Sequence, residues 1–377
     1  EVQLLTGPRT LNKKELYLEA IKLDNNLATA YNNLGTELSL EETAQVQMQS
    51  GPRTFYKQDL YLEAIKLDNN YAFAYFNLGV ELSSGETVEV QLLTGPRTLN
   101  KKDLYLEAIK LDNDYARAYT ILGTVLSPGE TVQVQLRTGP KTFNQKELFL
   151  EAIKLDNNEA LAYNNLGLLL CPEETVLVQM QTGSRTFNRK ELFLEAIKLD
   201  NHYAPAYNSL GNSLSPEDKV QVKLQTGLRT FNQKELYLET IKLDNNCALA
   251  YNNLGAVLSR DENVQVQLQT GPRLFDEKEL YLEAIRLDNN YASAYNNLGT
   301  VLSRDETVQV KLQTGLRTFN KKDLYLEAIK LDNKHALAYH NLGNGLSPGE
   351  TEQVQLQTGP RLFNEKELYL EAIKLDN

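Results

Sequence analysis

Residues 278–299 read KELYLEAIRLDNNYASAYNNLG, and this stretch decides the fold of the chain. Apolar side chains recur in it at helical spacing in two blocks, which are separated by the turn Asp288-Asn289-Asn290. This spacing predicts two helices joined by a tight turn. The stretch returns every 44 residues without insertion or deletion. Its tripeptide Leu-Tyr/Phe-Leu begins at Leu16, Leu60, Leu104, Leu148, Leu192, Leu236, Leu280, Leu324 and Leu368.

This repetition predicts the domain organisation. Eight periods of 44 residues and a partial one of 25 account for all 377 residues, and no linker interrupts them. We therefore expect a single solenoid over residues 1–377, with no separate domains. Glu1 has the same phase as Glu89, in the middle of a strand, and Asn377 follows the first helix of a repeat. We expect a segment of a longer array, or a subunit that continues into its neighbour.

The first copy shows how each helix is specified. Asn12 and Glu15 form a capping box that starts a helix predicted over residues 13–23. Apolar residues cover well over half of this helix, which predicts that it is sandwiched between two layers. The second helix, predicted over residues 28–38, has a single apolar stripe. Its polar residues are expected to face water; they are Asn32, Asn33 and Thr36.

A strand pattern follows each helix pair. Residues 264–273 read VQVQLQTGPR, in which apolar residues alternate with glutamine and a turn follows. The segment predicts a β-hairpin whose turn glycine can supply a positive φ. Four of these glycines are Gly51, Gly95, Gly139 and Gly271.

An isolated hairpin is marginally stable, so each hairpin needs a helix to cover or further strands to join. Two strands occupy roughly 9.5 Å and packed helices lie roughly 8–10 Å apart, so hairpins can keep pace with stacked helices. We therefore predict an α/β repeat solenoid of three layers in which successive hairpins join into a continuous sheet. The alternative is that hairpins pack separately, with no bonds between copies.

The helix pair resembles the tetratricopeptide repeat (TPR), whose signature is a bulky aromatic, then Leu-Gly, a large residue and later an alanine. The residues that carry the resemblance include Tyr31, Leu34, Gly35, Leu38, Tyr75, Leu78, Gly79, Tyr295, Leu298 and Gly299. The resemblance covers about 34 of every 44 residues. Three features depart from the family: Asn25 stands where a proline is frequent, Thr240 replaces one helical alanine, and about ten extra residues insert the hairpin between the two helices of the TPR pair. A mid-helix glycine such as Gly35 costs roughly 1 kcal/mol against alanine, which predicts close approach of a neighbouring helix.

The resemblance implies a right-handed superhelix that binds peptides or proteins on its concave face. Some members hold a peptide C-terminus with a clamp of Lys, Arg and Asn side chains. The residues Asn33, Asn165, Asn253 and Asn297 match its asparagine. The basic members are missing at Thr29, Asn32 and Thr36, so we reject the clamp.

Composition excludes several classes of function. The net charge of −11 argues against a nucleic-acid binder, and no apolar run approaches the length of a membrane span. Cys171 and Cys247 suggest neither a disulfide framework nor a metal site and leave the compartment open. The three histidines occupy unrelated positions; they are His202, His335 and His340. We expect no enzyme activity and no cofactor. Glycan attachment to threonines is possible, although no Asn-x-Ser/Thr signal occurs.

A basic residue follows each hairpin turn. The series includes Arg53, Arg97, Arg185, Arg229, Arg273 and Arg317. If the hairpins stack, these residues form a basic ladder that could bind an anionic polymer or a partner filament. The simpler interpretation, favoured by the net charge, is a solvated hairpin end paired with local acids.

Two functions therefore compete. The gap-free period, the ends within a repeat and the joinable hairpins favour an extracellular filament built from copies of the chain stacked end to end. The alternative is a cytoplasmic TPR-like scaffold for a peptide or protein partner. Two positions of the second helix vary as a graded binding surface would, and examples are Thr29, Phe73, Arg117, Leu161 and Pro205 at one and Thr36, Val80 and Asn212 at the other.

Overall fold

The computed structural model describes residues 2–4, 7–181 and 183–376 and forms two compact units, Glu1–Asn188 and Arg189–Asn377. Both units repeat a pair of helices followed by a two-stranded hairpin, which confirms the predicted fold class. That the whole chain forms one solenoid stays a prediction.

The N-terminal unit contains eight helices and ten strands among its described residues. In chain order they are β1 (Val2–Leu4), β2 (Gly7–Arg9), α1 (Lys13–Leu23), α2 (Ala28–Thr36), β3 (Thr43–Met48), β4 (Gly51–Tyr56), α3 (Lys57–Leu67), α4 (Ala72–Glu81), β5 (Thr87–Leu92), β6 (Gly95–Asn100), α5 (Lys101–Leu111), α6 (Ala116–Val125), β7 (Thr131–Leu136), β8 (Gly139–Asn144), α7 (Gln145–Leu155), α8 (Ala160–Leu169), β9 (Thr175–Met180) and β10 (Gly183–Asn188).

The C-terminal unit continues the same order over its described residues. Its elements are α9 (Arg189–Leu199), α10 (Ala204–Asn212), β11 (Lys219–Leu224), β12 (Gly227–Asn232), α11 (Gln233–Leu243), α12 (Ala248–Ala256), β13 (Val264–Leu268), β14 (Gly271–Phe275), α13 (Glu277–Leu287), α14 (Ala292–Val301), β15 (Thr307–Leu312), β16 (Gly315–Asn320), α15 (Lys321–Leu331), α16 (Ala336–Gly345), β17 (Thr351–Leu356), β18 (Gly359–Asn364) and α17 (Glu365–Asp376).

Helix α1 has the predicted bounds, and its capping box forms in both directions between Asn12 and Glu15. Helix α2 is two residues shorter than predicted. The N–H groups of Glu37 and Leu38 donate to carbonyls three residues back, at 3.2 and 3.3 Å. These tight bonds close the last turn and end the α-helix at Thr36.

The continuous sheet predicted from the spacing is wrong for the described residues, because every sheet has only two strands. Each hairpin pairs with itself, as in the register Val264↔Phe275 to Leu268↔Gly271. The turn glycines have positive φ, between 112° and 116° at Gly51, Gly95, Gly139 and Gly271. The alternative of separately packed hairpins is therefore the observed one.

Each odd-numbered helix is covered on two sides. In α13 the buried residues include Leu280, Tyr281 and Ile285, and the helix contacts both α14 and the strand β15. The sandwiched position predicted from its wide apolar surface is thus confirmed. The hairpins supply one layer through inward residues such as Val266 and Phe275, which are 0% and 1% exposed.

The mid-helix glycines mark the predicted close approach. A Cβ atom added at Gly299 would lie 2.6 Å from Cε1 of Tyr325, a ring that is 3% exposed. The same arrangement joins Gly79 to Tyr105 and Gly123 to Phe149. The glycine lets the aromatic ring of the next odd-numbered helix lie directly on the backbone of the even-numbered helix.

The asparagine that replaces the family's frequent proline ties a helix to a hairpin. In the turn after α13, Asn289 donates through Nδ2 to the Ile285 carbonyl at 2.6 Å and the Lys311 carbonyl at 3.4 Å. Its Oδ1 accepts the Gln313 N–H at 2.8 Å. The contact to the preceding isoleucine recurs at Asn25, Asn69, Asn113, Asn157, Asn201, Asn245 and Asn333.

We call these hydrogen bonds of the turn asparagine the asparagine clamp. They explain why the hairpins do not join into one sheet, although the width of a hairpin matches the spacing of packed helices. The asparagine clamp fixes the turn of each hairpin to the C-terminal end of an odd-numbered helix. The inward Val and Phe side chains fix the rest of the hairpin on the helices. The orientation of a hairpin is therefore set by helices rather than by the strands of a neighbouring hairpin.

A second link joins five odd-numbered helices, α1, α5, α7, α11 and α13, to the loop before the next hairpin. Lys278 Nζ donates to Glu306 at 2.6 Å, and Glu306 also accepts the Ser303 N–H at 3.1 Å. Equivalent pairs are Lys14–Glu42, Lys102–Glu130, Lys146–Glu174 and Lys234–Glu262. The lysine hydrogen bond, followed by the backbone hydrogen bond, lowers the pKa of all five glutamates below their ordinary value of 4.5.

These lowered pKa values predict loss of stability in acid. A carboxyl whose pKa is lower in the folded state stabilises the fold above its unfolded pKa, and this contribution disappears as the pH falls through the folded pKa. We expect Glu306→Gln to lower the urea midpoint at pH 7, and we expect this difference from the wild-type protein to shrink as the pH falls through the lowered folded-state pKa of Glu306. A difference in urea midpoint between the wild-type protein and Glu306→Gln that stays constant as the pH falls would contradict a stabilising role of the ionised Lys278–Glu306 pair.

Candidate binding surface on the even-numbered helices

In each unit, two positions per even-numbered helix form a surface that we call the variable face of that unit. Its first position holds Thr29, Phe73, Arg117 and Leu161 in the N-terminal unit and Pro205, Leu249, Ser293 and Leu337 in the C-terminal unit. Its second position holds Thr36, Val80, Thr124 and Leu168, then Asn212, Ala256, Thr300 and Asn344. All sixteen are exposed except Leu161 and Ser293, which are half-buried. Several large apolar side chains are exposed to solvent at these positions; for example, Phe73 is 46% exposed and Leu337 is 63% exposed.

A row of asparagines runs beside the variable face and links successive even-numbered helices. Asn297 Nδ2 donates to Asn252 Oδ1 at 2.9 Å, and Asn341 Nδ2 donates to Asn296 Oδ1 at 2.9 Å. The bonds Asn77–Asn32 and Asn253–Asn208 are equivalent, at 2.9 and 3.1 Å. This asparagine ladder corrects the prediction that Asn32 faces water. Asn32 is 3% exposed, and its side-chain oxygen accepts a hydrogen bond from Asn77 in the neighbouring repeat.

The ladder is interrupted in the N-terminal unit. Phe76 stands at the position of Asn32 in the second repeat, and Thr120 and Ile121 replace both asparagines in the third. The Thr120 hydroxyl donates to the Ala116 carbonyl of its own helix, at 3.3 Å. Asn165 Nδ2, one repeat later, is buried without a hydrogen-bond partner among the described residues.

Aromatic rings fill the interruption. The Phe73 ring lies 4.8 Å from the Tyr115 ring and 6.0 Å from the Tyr71 ring. The Phe76 ring lies 5.0 Å from Tyr115 and 5.7 Å from Tyr105. Tilted rings at these distances stabilise one another beyond the burial of their area. The result is a fixed aromatic cluster with Phe73 at its exposed edge.

A basic residue flanks this aromatic cluster. Arg117 lies two residues after Tyr115, and its side chain is 58% exposed. Its ion-pair partner among the described residues, Glu159, is 4.0 Å away and much more buried. Burial raises the pKa of Glu159, partly offset by the charge of Arg117. The guanidinium therefore presents most of its hydrogen-bond donors to solvent.

The variable face of the C-terminal unit has a different character. The His335 imidazole lies 3.2 Å from the Ser293 hydroxyl through Nε2 and accepts the Ala338 N–H through Nδ1. Burial lowers the pKa of His335, which favours the neutral ring. Near the C-terminal ends of α14 and α16 lies an open polar hollow of about 1090 Å³, whose lining includes Thr300, Asn344 and Lys321.

The basic residues after the hairpin turns are placed against the hairpins' own aromatic residues. The Arg317 guanidinium lies 4.4 Å from the Phe319 ring centroid and 3.0 Å from Glu327. Arg53, Arg185, Arg229 and Arg273 lie over phenylalanine rings in the same way, and Arg97 pairs with Glu107. Local acids neutralise much of this charge, and binding of an anionic polymer here stays a prediction.

The residues of the repeat signature are placed in the core and not in a site. Tyr31, Tyr75 and Tyr295 are at most 1% exposed, and each leucine after them is fully buried. No group of three or more histidine, cysteine or acidic side chains in the described part of the chain could hold a metal ion. Both cysteines are free thiols. None of the helices that the structure describes has the length and apolar character needed to cross a membrane.

The amino-acid sequence alone does not reveal the asparagine ladder or the aromatic cluster. A single helical wheel places Asn32 away from the apolar stripe, so it cannot show that the next repeat covers this residue. The signal was the recurrence of Asn-Asn at the same two positions, broken only in some copies. The substitutions Phe76, Thr120 and Ile121 show where the asparagine pattern is broken, whereas the grouping of aromatic rings there follows from the geometry of neighbouring helices.

Solved structures similar to this chain are known, whereas no family model matches the sequence and no curated protein matches it either. Among solved structures, the chain is similar to YrrB, described as a TPR protein with an unusual peptide-binding site, with 18% identity over 63% of this chain and 96% of that one, at a TM-score of 0.31. It is also similar to yeast Tom70, with 15% identity over 96% of this chain and 56% of that one, at a TM-score of 0.38. Likenesses at such TM-scores decide nothing about function, and the TPR-like character of the helix pairs rests on their own sequence and packing.

Proposed function

We propose that this protein is a non-enzymatic repeat scaffold that binds a peptide or protein partner on the variable face. The observation that carries the proposal is the exposure of large apolar side chains at equivalent positions of every second even-numbered helix. They are Phe73 and Val80 on α4 and Leu168 on α8 in the N-terminal unit, and Leu249 on α12 and Leu337 on α16 in the C-terminal unit. Exposed apolar residues that recur on one face are typical of interaction surfaces.

The surrounding packing supports a binding role for this face. The ladder and the glycine–aromatic contacts hold the even-numbered helices in fixed positions. A partner then meets a surface that loses little conformational freedom on binding, which favours affinity. The side chains at the two variable positions differ from repeat to repeat and can select a partner.

Selection of peptides from a random library on the immobilised protein tests this proposal. For a selected peptide, we expect Leu249→Ser or Leu337→Ser, or Phe73→Ser if it binds the N-terminal unit, to weaken binding by about tenfold or more, because burial of one large apolar side chain contributes roughly 1.5–3 kcal/mol. The matched control is Leu93→Ser, which changes a leucine that is 94% exposed at a hairpin turn. Equal losses for Leu93→Ser and the variable-face variants, or failure to enrich any peptide, would contradict the proposal.

Assembly into a filament is a second candidate function, and the free hairpin edges favour it. No described hairpin pairs with another, so both outer strand edges of each hairpin can accept a strand from a second copy. Exposed leucines lie on or beside several of these strands, including Leu93, Leu228 and Leu316. Electron microscopy of unstained protein near neutral pH tests this candidate. Fibres that disappear when Leu228 and Leu316 become serine would support it, and discrete particles of constant length would contradict it.

A further inference from the structure

The interruption of the asparagine ladder has an energetic cost. A hydrogen bond such as Asn297–Asn252 is absent where Thr120 and Ile121 stand, and Asn165 Nδ2 is left buried and unpaired. A buried donor without a partner is destabilising. The stability of the repeat array therefore does not explain why Thr120 and Ile121 replace the asparagines.

The same substitutions create a surface of defined chemistry. Phe76 packs under Tyr115, and Tyr115 in turn supports the exposed ring of Phe73 at 4.8 Å. The Tyr71 hydroxyl lies 3.5 Å from Asn32 Nδ2, the nearest intact part of the ladder. These rings are immobilised by one another, so a second apolar side chain can pack on Phe73 without ordering it first.

Arg117 adds a charge beside the aromatic cluster. It makes no hydrogen bond with any described residue, and its contact with Glu159 is a single 4.0 Å approach. An exposed guanidinium with unused donors matches a carboxylate, which it can bind through two parallel hydrogen bonds. Aromatic residues and arginine are also the residue types that contribute most to binding energy at interfaces.

We propose that the surface formed by Phe73, Tyr115 and Arg117, which the buried Phe76 supports from below, binds an extended peptide in which a large aromatic or apolar side chain lies close to an acidic residue. This inference rests on the proposed function and specifies the partner of the N-terminal unit. The apolar side chain packs on Phe73 and Tyr115, and the carboxylate pairs with Arg117. The C-terminal unit carries no arginine on its variable face and does not share this preference.

Four fluorescent peptide pools test the preference. Each nine-residue peptide has Phe or Ser at its centre and Asp or Lys two or three residues away, with Gly, Ser or Ala elsewhere. We expect the Phe/Asp pool to bind about tenfold more tightly than the Phe/Lys and Ser/Asp pools. Arg117→Glu should reverse the preference toward the Phe/Lys pool, and Phe73→Ser should remove the preference for Phe. The control variant Lys334→Glu, exposed in the C-terminal unit, should change neither preference.

The outcomes separate this inference from the proposed function. Binding of the Phe pools without an Asp preference, or a preference that Arg117→Glu leaves unchanged, overturns the inference while the variable face remains a binding surface. Failure of all four pools to bind also overturns it, and the library selection then decides the proposed function independently. Dimerisation of the protein that Phe73→Ser abolishes would show that a second copy occupies the surface and would equally overturn the inference.

Discussion

Alanine at Gly299 is expected to destabilise the protein, whereas alanine at Gly345 is expected to stabilise it slightly. The new Cβ at position 299 would lie 2.6 Å from Cε1 of Tyr325 and 3.1 Å from its Cζ. Overpacking of this kind costs about 1–3 kcal/mol, and the helix propensity of alanine returns up to about 1 kcal/mol. We expect a net loss of roughly 1–2 kcal/mol in the free energy of unfolding, measured by urea denaturation.

Gly345 is the matched control because it is also helical and nothing lies within 4 Å of its added Cβ. The clash can be tested directly by combining Gly299→Ala with Tyr325→Leu, which removes the ring. Gly299→Ala should then cost less than it does beside tyrosine. Equal effects of alanine at positions 299 and 345 would show that the glycine–aromatic contact does not hold the helices together.

Alanine at Asn289 is the second change with a large expected effect. It removes the hydrogen bonds to the Ile285 carbonyl, the Lys311 carbonyl and the Gln313 N–H, at 2.6, 3.4 and 2.8 Å. At about 0.5–1.5 kcal/mol for each of the three bonds, we expect a loss of roughly 1.5–4.5 kcal/mol. The Gln313 amide should also exchange its hydrogen faster, because its acceptor is gone.

The variant Asn289→Pro tests whether this position needs the side-chain hydrogen bonds of asparagine or only a restricted backbone. Asp288 is extended, with φ −135° and ψ 99°, which suits the residue before a proline. If the position required only a stiff backbone, proline would be neutral or stabilising. We expect it to destabilise the protein instead, while Asn290→Ala, an exposed neighbour, has little effect.

The sequence predicts the local elements well because each is determined by residues close in the chain. The capping pair Asn12 and Glu15 fixes the start of α1, and the alternation in residues 264–268 fixes a strand. The mid-helix glycine also predicts close approach of a neighbouring helix, because the low helix propensity of glycine must be offset by closer packing. These predictions depend on a single repeat.

Relations between repeats could not be predicted in the same way. Spacing suggested joined hairpins, but contacts such as Asn289–Gln313 orient each hairpin on a helix, and no property of one strand reveals this. Asn32 appeared solvent-facing because its covering residue, Asn77, belongs to the next repeat. The sequence itself shows the variable positions, whereas the grouping of Phe73, Phe76 and Tyr115 depends on the geometry of neighbouring helices.

Hydrogen exchange of the protein with and without a selected peptide tests the central claim most directly. The scaffold account predicts protection in the even-numbered helices, around positions such as Phe73, Leu249 and Leu337, with no change in the hairpin strands. Protection confined to hairpin strands such as β11 and β12, with the even-numbered helices unchanged, would contradict the account and place the interaction surface on the hairpins.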